Sequence, residues 1–366
     1  MQEQELISLH AFNHIPGVSS SILRLLKNHL GDFKTAWRQD ARAFTKIDIP
    51  DSVQQMISAK RPFIDPHQAW DALKNEKIWL VCEEDEEYPK LLHEIPHKPY
   101  ALYGKGDHNL LSSLTPQICS IAIVGTRRPT RQGIEITNTI ARDLACAGCI
   151  IISGLAQGID ATAHRGALDA GGKTIGILGS GMDRASFFPQ ENWQLAERMA
   201  AEGGVVLSEH RPGVHARAYH FPQRNRIISG CARGALVVEA REKSGARITA
   251  RFALEQNRDI FAIPGSPFSP TAFGPNQLIR DGAKLVTSAT DILQEYGIVS
   301  TRTVHDQQTL LSPDAILLLP LLEEPTSVDI IKTYTNLAPE VILATLSLLE
   351  LQGAVRHLGQ GMYQKI

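Results

Sequence analysis

Ile121-Ala122-Ile123-Val124 runs directly into Gly125-Thr126-Arg127-Arg128-Pro129-Thr130, and the reading of this junction decides the fold. Four consecutive apolar residues, three of them β-branched, suit a strand covered on both faces, because neither alternate position is polar. The glycine that follows lets the backbone turn tightly before a helix begins. The same succession recurs twice downstream. Ile150-Ile151-Ile152 opens into Ser153-Gly154-Leu155-Ala156-Gln157-Gly158-Ile159-Asp160, and Ile175-Gly176-Ile177-Leu178 opens into Gly179-Ser180-Gly181-Met182-Asp183. Further apolar runs stand at 205–207, 235–238 and 260–263. The runs lie roughly 25 to 30 residues apart, about one strand-plus-helix unit each. The expected fold is therefore α/β, a Rossmann-like doubly wound, mainly parallel sheet.

Working outward, the chain divides into further parts. Residues 1–65 read as helical: Leu6, Leu9 and Phe12, then Ile22, Leu25, Leu26 and Leu30, recur at helical spacing. Ile15-Pro16-Gly17-Val18 between them resembles the turn of a helix-hairpin-helix or SAM-like module. Residues 66–298 form the large domain, 299–308 a polar linker, and 309–366 a compact tail. In the tail an apolar helix over 316–322, a helix opened by Thr326-Ser327-Val328-Asp329, a third over 339–352 and a hairpin over 354–363 outline a winged helix. That outline often means duplex DNA binding, but this copy is weakly basic, so a protein-interaction or accessory role stands beside it.

Ligands of open α/β sheets bind beyond the carboxyl ends of the strands. Three neighbouring strand ends that open into glycine-bearing loops, each before a helix, make a candidate anion site. Glycine admits a phosphate without a Cβ clash, helix N-termini supply oriented N–H groups, and Arg127 and Arg128 add guanidinium forks. The candidate phosphate contacts are Gly125, Thr126, Arg127 and Arg128, then Ser153, Gly154, Gln157 and Gly158, then Gly179, Ser180 and Gly181. The bland alternative is that some of these glycines only close helix–strand packing. Phe221-Pro222-Gln223-Arg224-Asn225-Arg226, preceded by His215, Arg217, Tyr219 and His220, interleaves aromatic and basic residues as a single strand of nucleic acid requires. Arg217, Phe221, Arg224, Asn225 and Arg226 join the candidate site, with a structural ion pair as the competing role for Arg224 and Arg226.

Composition limits the function classes. The 366 residues are 43% hydrophobic and 21% charged, with a formal net charge of −2, so binding to a polyanion has to rest on a local basic patch. The N-terminus carries no basic-then-apolar leader, and no apolar run approaches the roughly 18 residues of a membrane span. The expected location is the cytosol, with no membrane partner. The five cysteines are a sparse, odd set, unlike a disulfide framework. Cys146-x-x-Cys149 reads as two buried cysteines rather than a redox pair or half a zinc site, since no second pair stands at ligand spacing. Asp160 and His164, one helical turn apart, could form a dyad, but a structural histidine oriented by the carboxylate is the simpler reading. Glu209 and Glu239, each at a strand end, suit partners for loop N–H groups or arginines. No catalytic residue, metal or cofactor is expected.

Taken together, Gly125-Thr126-Arg127-Arg128-Pro129, Ser153-Gly154-Leu155-Ala156-x-Gly158-Ile159-Asp160-x-x-Ala163-His164, Phe221-Pro222-x-Arg224-Asn225-Arg226-Ile227-Ile228-Ser229-Gly230 and Val237-Val238-Glu239-Ala240 with Ser244-Gly245 resemble the signatures of the DprA/Smf family. Pro264-Gly265 followed by Gly274-Pro275-Asn276-Gln277-Leu278-Ile279 does so too. The resemblance covers roughly 80–298 closely and the flanking regions more loosely. It implies binding and protection of single-stranded DNA during natural transformation, loading of the RecA recombinase onto it, and a homodimer formed through the Rossmann-like domain. It also implies a phosphate contact at Arg128 and a base contact at Phe221. The chain departs from the family at Ala218, where some members carry a DNA-contacting lysine; Arg217 is the neighbouring basic residue.

Other readings fit less well. A LOG-like nucleotide phosphoribohydrolase or a nucleotide-sensing Rossmann-like protein shares this kind of core. However, Pro264-Gly265-Ser266-Pro267 offers no glutamate where the hydrolase loop needs its acid/base. Gly176-x-x-Gly179-x-Gly181 has the wrong spacing for a dinucleotide fingerprint, and Gly172-Lys173-Thr174 enters a strand rather than a helix, unlike a nucleoside-triphosphate loop.

Overall fold

A computed structural model describes residues 1–298, 312–335, 337–351, 353–359 and 361–365. The expected linker at 299–308 and Gln352 lie outside them. The chain separates into two compact units, Met1–Arg302 and Thr303–Ile366, each taken by itself below.

The sheet of the first unit has nine strands: β1 (Trp79–Cys82), β2 (Ala101–Gly106), β3 (Ser120–Val124), β4 (Ile150–Ser153), β5 (Thr174–Leu178), β6 (Val205–Ser208), β7 (Gly234–Val237), β8 (Asp259–Ala262) and β9 (Lys284–Leu285). Their order is β1-β2-β6-β5-β4-β3-β7-β8-β9. All pairs from β6 to β9 are parallel, while β2 joins β6, and β1 joins β2, antiparallel. From β3 the chain lays β4, β5 and β6 to one side, then crosses back to add β7, β8 and β9 on the other. The winding reverses between β3 and β7, and that is where such a sheet opens a crevice.

Side chains of β3 alternate between two covered faces. Ile121 and Ile123 meet Ile140, Leu144, Ile159 and Ala163 of the helices Arg131–Cys146 and Ile159–Asp169. Ala122 and Val124 share a core with Ile227, Ile228, Ala246 and Ala250 of the helices His220–Gly230 and Gly245–Glu255. Two-sided burial explains why the strand sequences are continuously apolar.

The first 65 residues are helical, over Glu3–Asn13, Ser20–Leu30, Phe33–Arg38, Ala41–Phe44 and Asp51–Lys60. Ser19 and Asp32 cap the second and third of these by accepting first-turn amides. The helices do not close a core of their own. Leu9, Phe12, Leu26 and Phe33 lie in one apolar cluster with Tyr103 of β2, Val206 of β6 and Met199 of the helix Trp193–Ala201. The Tyr103 hydroxyl is held by His10 Nδ1 and Asn13 Nδ2, each at 2.9 Å. The boundary at 65 marks a change of element type without a break in packing.

One cysteine expectation is corrected. Cys149 is not a free buried thiol: it pairs with Cys119 as a disulfide, with Cα atoms 4.7 Å apart. The reason is register. Ser120 stands opposite Ile150, so the residues just before β3 and β4 are neighbours. Cys146 is free and half-buried, while Cys82 and Cys231 are free and buried. Among the described residues no cluster of three or more metal-binding side chains forms, and no helix is long and apolar enough to cross a membrane.

The second unit runs helix Pro313–Leu318, a 3₁₀ turn Leu319–Leu322, strand β10 (Thr326–Ser327), helices Val328–Thr335 and Pro339–Leu351, and the hairpin β11 (Val355–Gly359) with β12 (Met362–Lys365). Its sheet has the order β10-β12-β11. Leu318, Ile331, Ile342, Leu346 and Val355 form the core. Ser327 both joins the short strand and accepts the Ile330 amide at 3.4 Å, so it opens the second helix as its sequence suggests.

Candidate nucleic-acid interface

The crevice between the carboxyl ends of β3 and β7 is a pocket of about 500 Å³. The loop after β3 forms one wall, the loop after β7 and the start of the 245–255 helix the opposite wall, and Ala218, Phe221 and Pro222 the rim. Three hydrogen bonds tie the walls together. Thr126 N–H donates to the Glu239 carbonyl at 2.7 Å, and the Glu239 carboxylate accepts from Thr130 N–H and Oγ1 at 2.9 and 2.6 Å. Thr130 in turn caps the 131–146 helix through the Gly133 amide. Glu239 therefore braces a helix N-terminus, the loop-binding role its sequence position suggests.

Arg127 lines the crevice and is exposed; Arg128, next along the chain, is exposed but does not line it. The Arg127 guanidinium sits 5.2 Å from the centre of the Phe221 ring, within cation–π range. Phe188, also exposed, places its ring 5.6 Å from that of Phe221. Gly125 and Thr126 line the crevice, and Gln157 is exposed on the adjacent loop. Gly158 has φ +80°, and a Cβ there would come 2.5 Å from the Thr126 carbonyl oxygen; only glycine lets the two loops meet.

Several expected contacts lie inside the protein instead. Ser153 is buried, with its hydroxyl donating to the Ile123 carbonyl at 2.5 Å. Gly154 is buried and donates its N–H to Asp160 at 3.1 Å. Gly179, Ser180 and Gly181 are buried as well. The end of β6 and the segment after it cover them: Gly181 N–H donates to the Val214 carbonyl, His220 Nδ1 meets the Gly179 carbonyl at 3.2 Å, and Ser208 Oγ donates to the Ser180 carbonyl. The loop after β5 is therefore structural, because the chain folds back over it.

The arginines of the 220–230 helix also turn inward. Arg224, 6% exposed, donates to the carbonyls of Gly154 (2.6 Å) and Ile177, and faces the buried Asp160. Burial pulls its guanidinium down to about 10, and burial likewise raises the Asp160 carboxyl, with Arg224 opposing the rise. Arg226 bonds both oxygens of Glu209, at 2.9 and 2.8 Å. Asn225 is buried, and its amide donates to the Gly245 carbonyl at 3.2 Å, holding the far wall of the crevice. His164 is fully buried, and its Nδ1 meets Thr174 Oγ1 at 2.7 Å rather than a carboxylate. Burial pushes its pKa down to about 3, and no dyad with Asp160 forms.

Sequence reasoning missed Arg241 and Lys243, exposed residues that line the crevice after β7. Their signal was the strand-end rule itself, applied to 235–238 as to the earlier runs. Arg217 is exposed, but lines a groove beyond Tyr219 rather than the crevice. Ala218 does line the crevice, so no basic side chain fills that position.

Comparison with known proteins agrees with this architecture. Residues 79–297 match the family model of DNA recombination-mediator protein A. Protein Smf of Synechocystis is 34% identical over 97% of both chains. DNA processing protein DprA of Bacillus subtilis is 44% identical over 61% of this chain and 73% of its own. The crystal structure of DprA from Streptococcus pneumoniae superposes with a TM-score of 0.66 at 33% identity, covering 78% of this chain and 96% of that one. A Helicobacter pylori DNA processing protein A, solved for its single-stranded DNA binding mode, superposes with a TM-score of 0.53 at 28% identity over 60% of this chain and 95% of that one. With the matched region spanning the whole sheet and the crevice at its switch point, the chain belongs to the DprA/Smf family of DNA recombination-mediator proteins.

Proposed function

We propose that the crevice binds the backbone of single-stranded DNA, with phosphates at Arg127, Arg128, Arg241 and Lys243 and a base stacked at Phe221. The observation that carries this reading is the Arg127–Phe221 pair at the switch-point crevice, the guanidinium exposed and the ring half-buried, because a cation beside an aromatic face suits a phosphate next to an unpaired base. Of the two roles implied by the family, Phe221 lines this crevice and Arg128 adjoins Arg127, which does, and this supports the reading. A binding role is favoured over catalysis by how the ionisable residues are used. Asp160, His164 and Glu239 hold, respectively, a loop amide, a strand hydroxyl and a helix cap. The protein would protect the strand and deliver RecA to it, the roles the family resemblance implies. A homodimer would join two such crevices, since one small pocket binds weakly and linkage raises effective concentration.

The test is fluorescence anisotropy of labelled oligo-dT with wild type and Arg128→Ala, across a salt series, with duplex and AMP as competitors. The expected result is salt-sensitive binding that AMP and duplex displace poorly. Arg128→Ala should weaken it for all sequences alike and flatten the salt slope by somewhat under one unit. Efficient displacement by AMP would favour the nucleotide-binding alternative, for which a pocket of this size is large enough.

A further inference from the structure

A second groove lies on the other side of the 215–223 segment, between that segment and the N-terminal turn at Pro16-Gly17-Val18-Ser19. It consists of two cavities, about 630 and 430 Å³, that share Gly17, Tyr219 and His220. One wall is the start of the Ser20–Leu30 helix, where the first amides have no intrahelical acceptor and Ser19 caps that of Ile22. The other wall carries Arg211 and Arg217. Arg211 bonds the carbonyls of Asn13 and Pro212, and Arg217 bonds the Tyr219 hydroxyl; among the described residues neither is paired with a carboxylate. The acid that lines the groove, Glu209, is already held by Arg226 and Ser20. Arg226 in addition keeps a buried Nη1 with no partner among the described residues. Tyr219 stands 53% exposed at the crest, two residues from Phe221, which faces the crevice.

We propose that a single strand leaving the crevice crosses the Tyr219 crest and continues along this groove, so that the N-terminal helices contribute a second stretch of the DNA-binding track. This rests on the crevice reading above. The physical basis is continuity. One short segment presents Phe221 to the crevice and Tyr219 to the groove, as successive stacking platforms do. Cations whose charge no carboxylate neutralises and a helix N-terminus then supply the backbone contacts. A lone base and its phosphates need only the crevice; the groove acts only on strands long enough to cross the crest.

Ser21→Glu tests this without risk to the fold. Ser21 is exposed in the groove wall and lies in the first turn of its helix, where a carboxylate favours the helix dipole. Arg217→Ala with Tyr219→Ala, both exposed, is the second variant. Affinity would be measured for a short oligo-dT of about four nucleotides and a long one of about sixteen. In Ser21→Glu the long strand should bind about fivefold more weakly, the weight of one surface charge, and in Arg217→Ala with Tyr219→Ala more weakly still because a stacked base is lost with the charge, both with a reduced salt slope and the short strand as in wild type. Arg128→Ala should weaken both lengths. Unchanged long-strand binding in the groove variants, or equal loss at both lengths, overturns the extended track. Unchanged binding of the short strand in Arg128→Ala overturns the crevice reading instead.

Discussion

Replacing Arg224 with methionine should strongly destabilise the first unit rather than erase one DNA contact. The side chain is 6% exposed, donates to the carbonyls of Gly154 and Ile177, and stands against the buried Asp160. Methionine keeps the volume but leaves two carbonyls without donors, each costing about 1–3 kcal/mol. It also removes the positive charge that offsets the burial of the nearby Asp160 carboxylate, and leaving a buried charge uncompensated costs up to about 3–5 kcal/mol. Protonation of Asp160, whose pKa burial already raises, limits the total. The expected loss is therefore ~3–5 kcal/mol, a large share of the ~5–15 kcal/mol typical of a folded protein. Urea unfolding followed by tryptophan fluorescence reads this directly, because all four tryptophans, Trp37, Trp70, Trp79 and Trp193, lie in the first unit. Adding Asp160→Asn should restore part of the loss, because the orphaned charge is gone. An Arg224→Met protein within ~1 kcal/mol of wild type, yet unable to bind oligo-dT, would refute the internal role and return Arg224 to the ligand.

Other outcomes follow from the same geometry. Phe221→Ala should weaken oligo-dT binding by about 1–3 kcal/mol, the value of one stacked base, while leaving the urea midpoint nearly unchanged, since the ring lies at the rim. Acid should destabilise the first unit earlier than carboxylate titration alone would. Burial lowers the pKa values of His10 and His164 to about 3 and of His14 and His210 to about 4. Between those values and the unfolded ~6.5, the unfolded chain binds protons that the folded one refuses, so stability is lost as pH falls through that window. Each histidine contributes at most ~1.4 kcal/mol per pH unit. Urea midpoints measured from pH 7 down to 4.5 should show this fall, and His164→Gln should make it shallower; a flat profile would mean these rings titrate freely.

The strands from β3 to β8 were readable because two-sided burial writes itself as uninterrupted Val, Ile and Leu. The β1–β2 pair was not. Trp79-Leu80-Val81-Cys82 leads into an acidic run, and β2 contains Gly104 and Gly106, which read as loop. The register explains Gly104: Trp79 stands opposite, and a Cβ would lie 2.0 Å from its ring. A glycine kept for a ring on another strand leaves no local trace. In the site, Arg127, Arg128 and Phe221 were legible because strand ends and aromatic–basic interleaving are local signals. The fate of 179–181 was not, since nothing in that loop announces that 208–220 folds over it. Arg224 and Arg226 look alike in sequence, yet helical geometry sends the first to buried carbonyls and the second to Glu209.

The N-terminal helices bury Leu9, Phe12 and Phe33 in the same cluster as Tyr103 and Val206 of the sheet. A cluster shared in this way couples the opening of either part to the other. Backbone amides in the helices over 3–30 should then exchange with solvent no faster than those of β2 and β6. A protease that clips mobile segments should find no early cut near residue 65. Whatever the N-terminal turn contributes at the mouth of its groove is thereby held by the full cooperativity of the sheet, with no hinge in between.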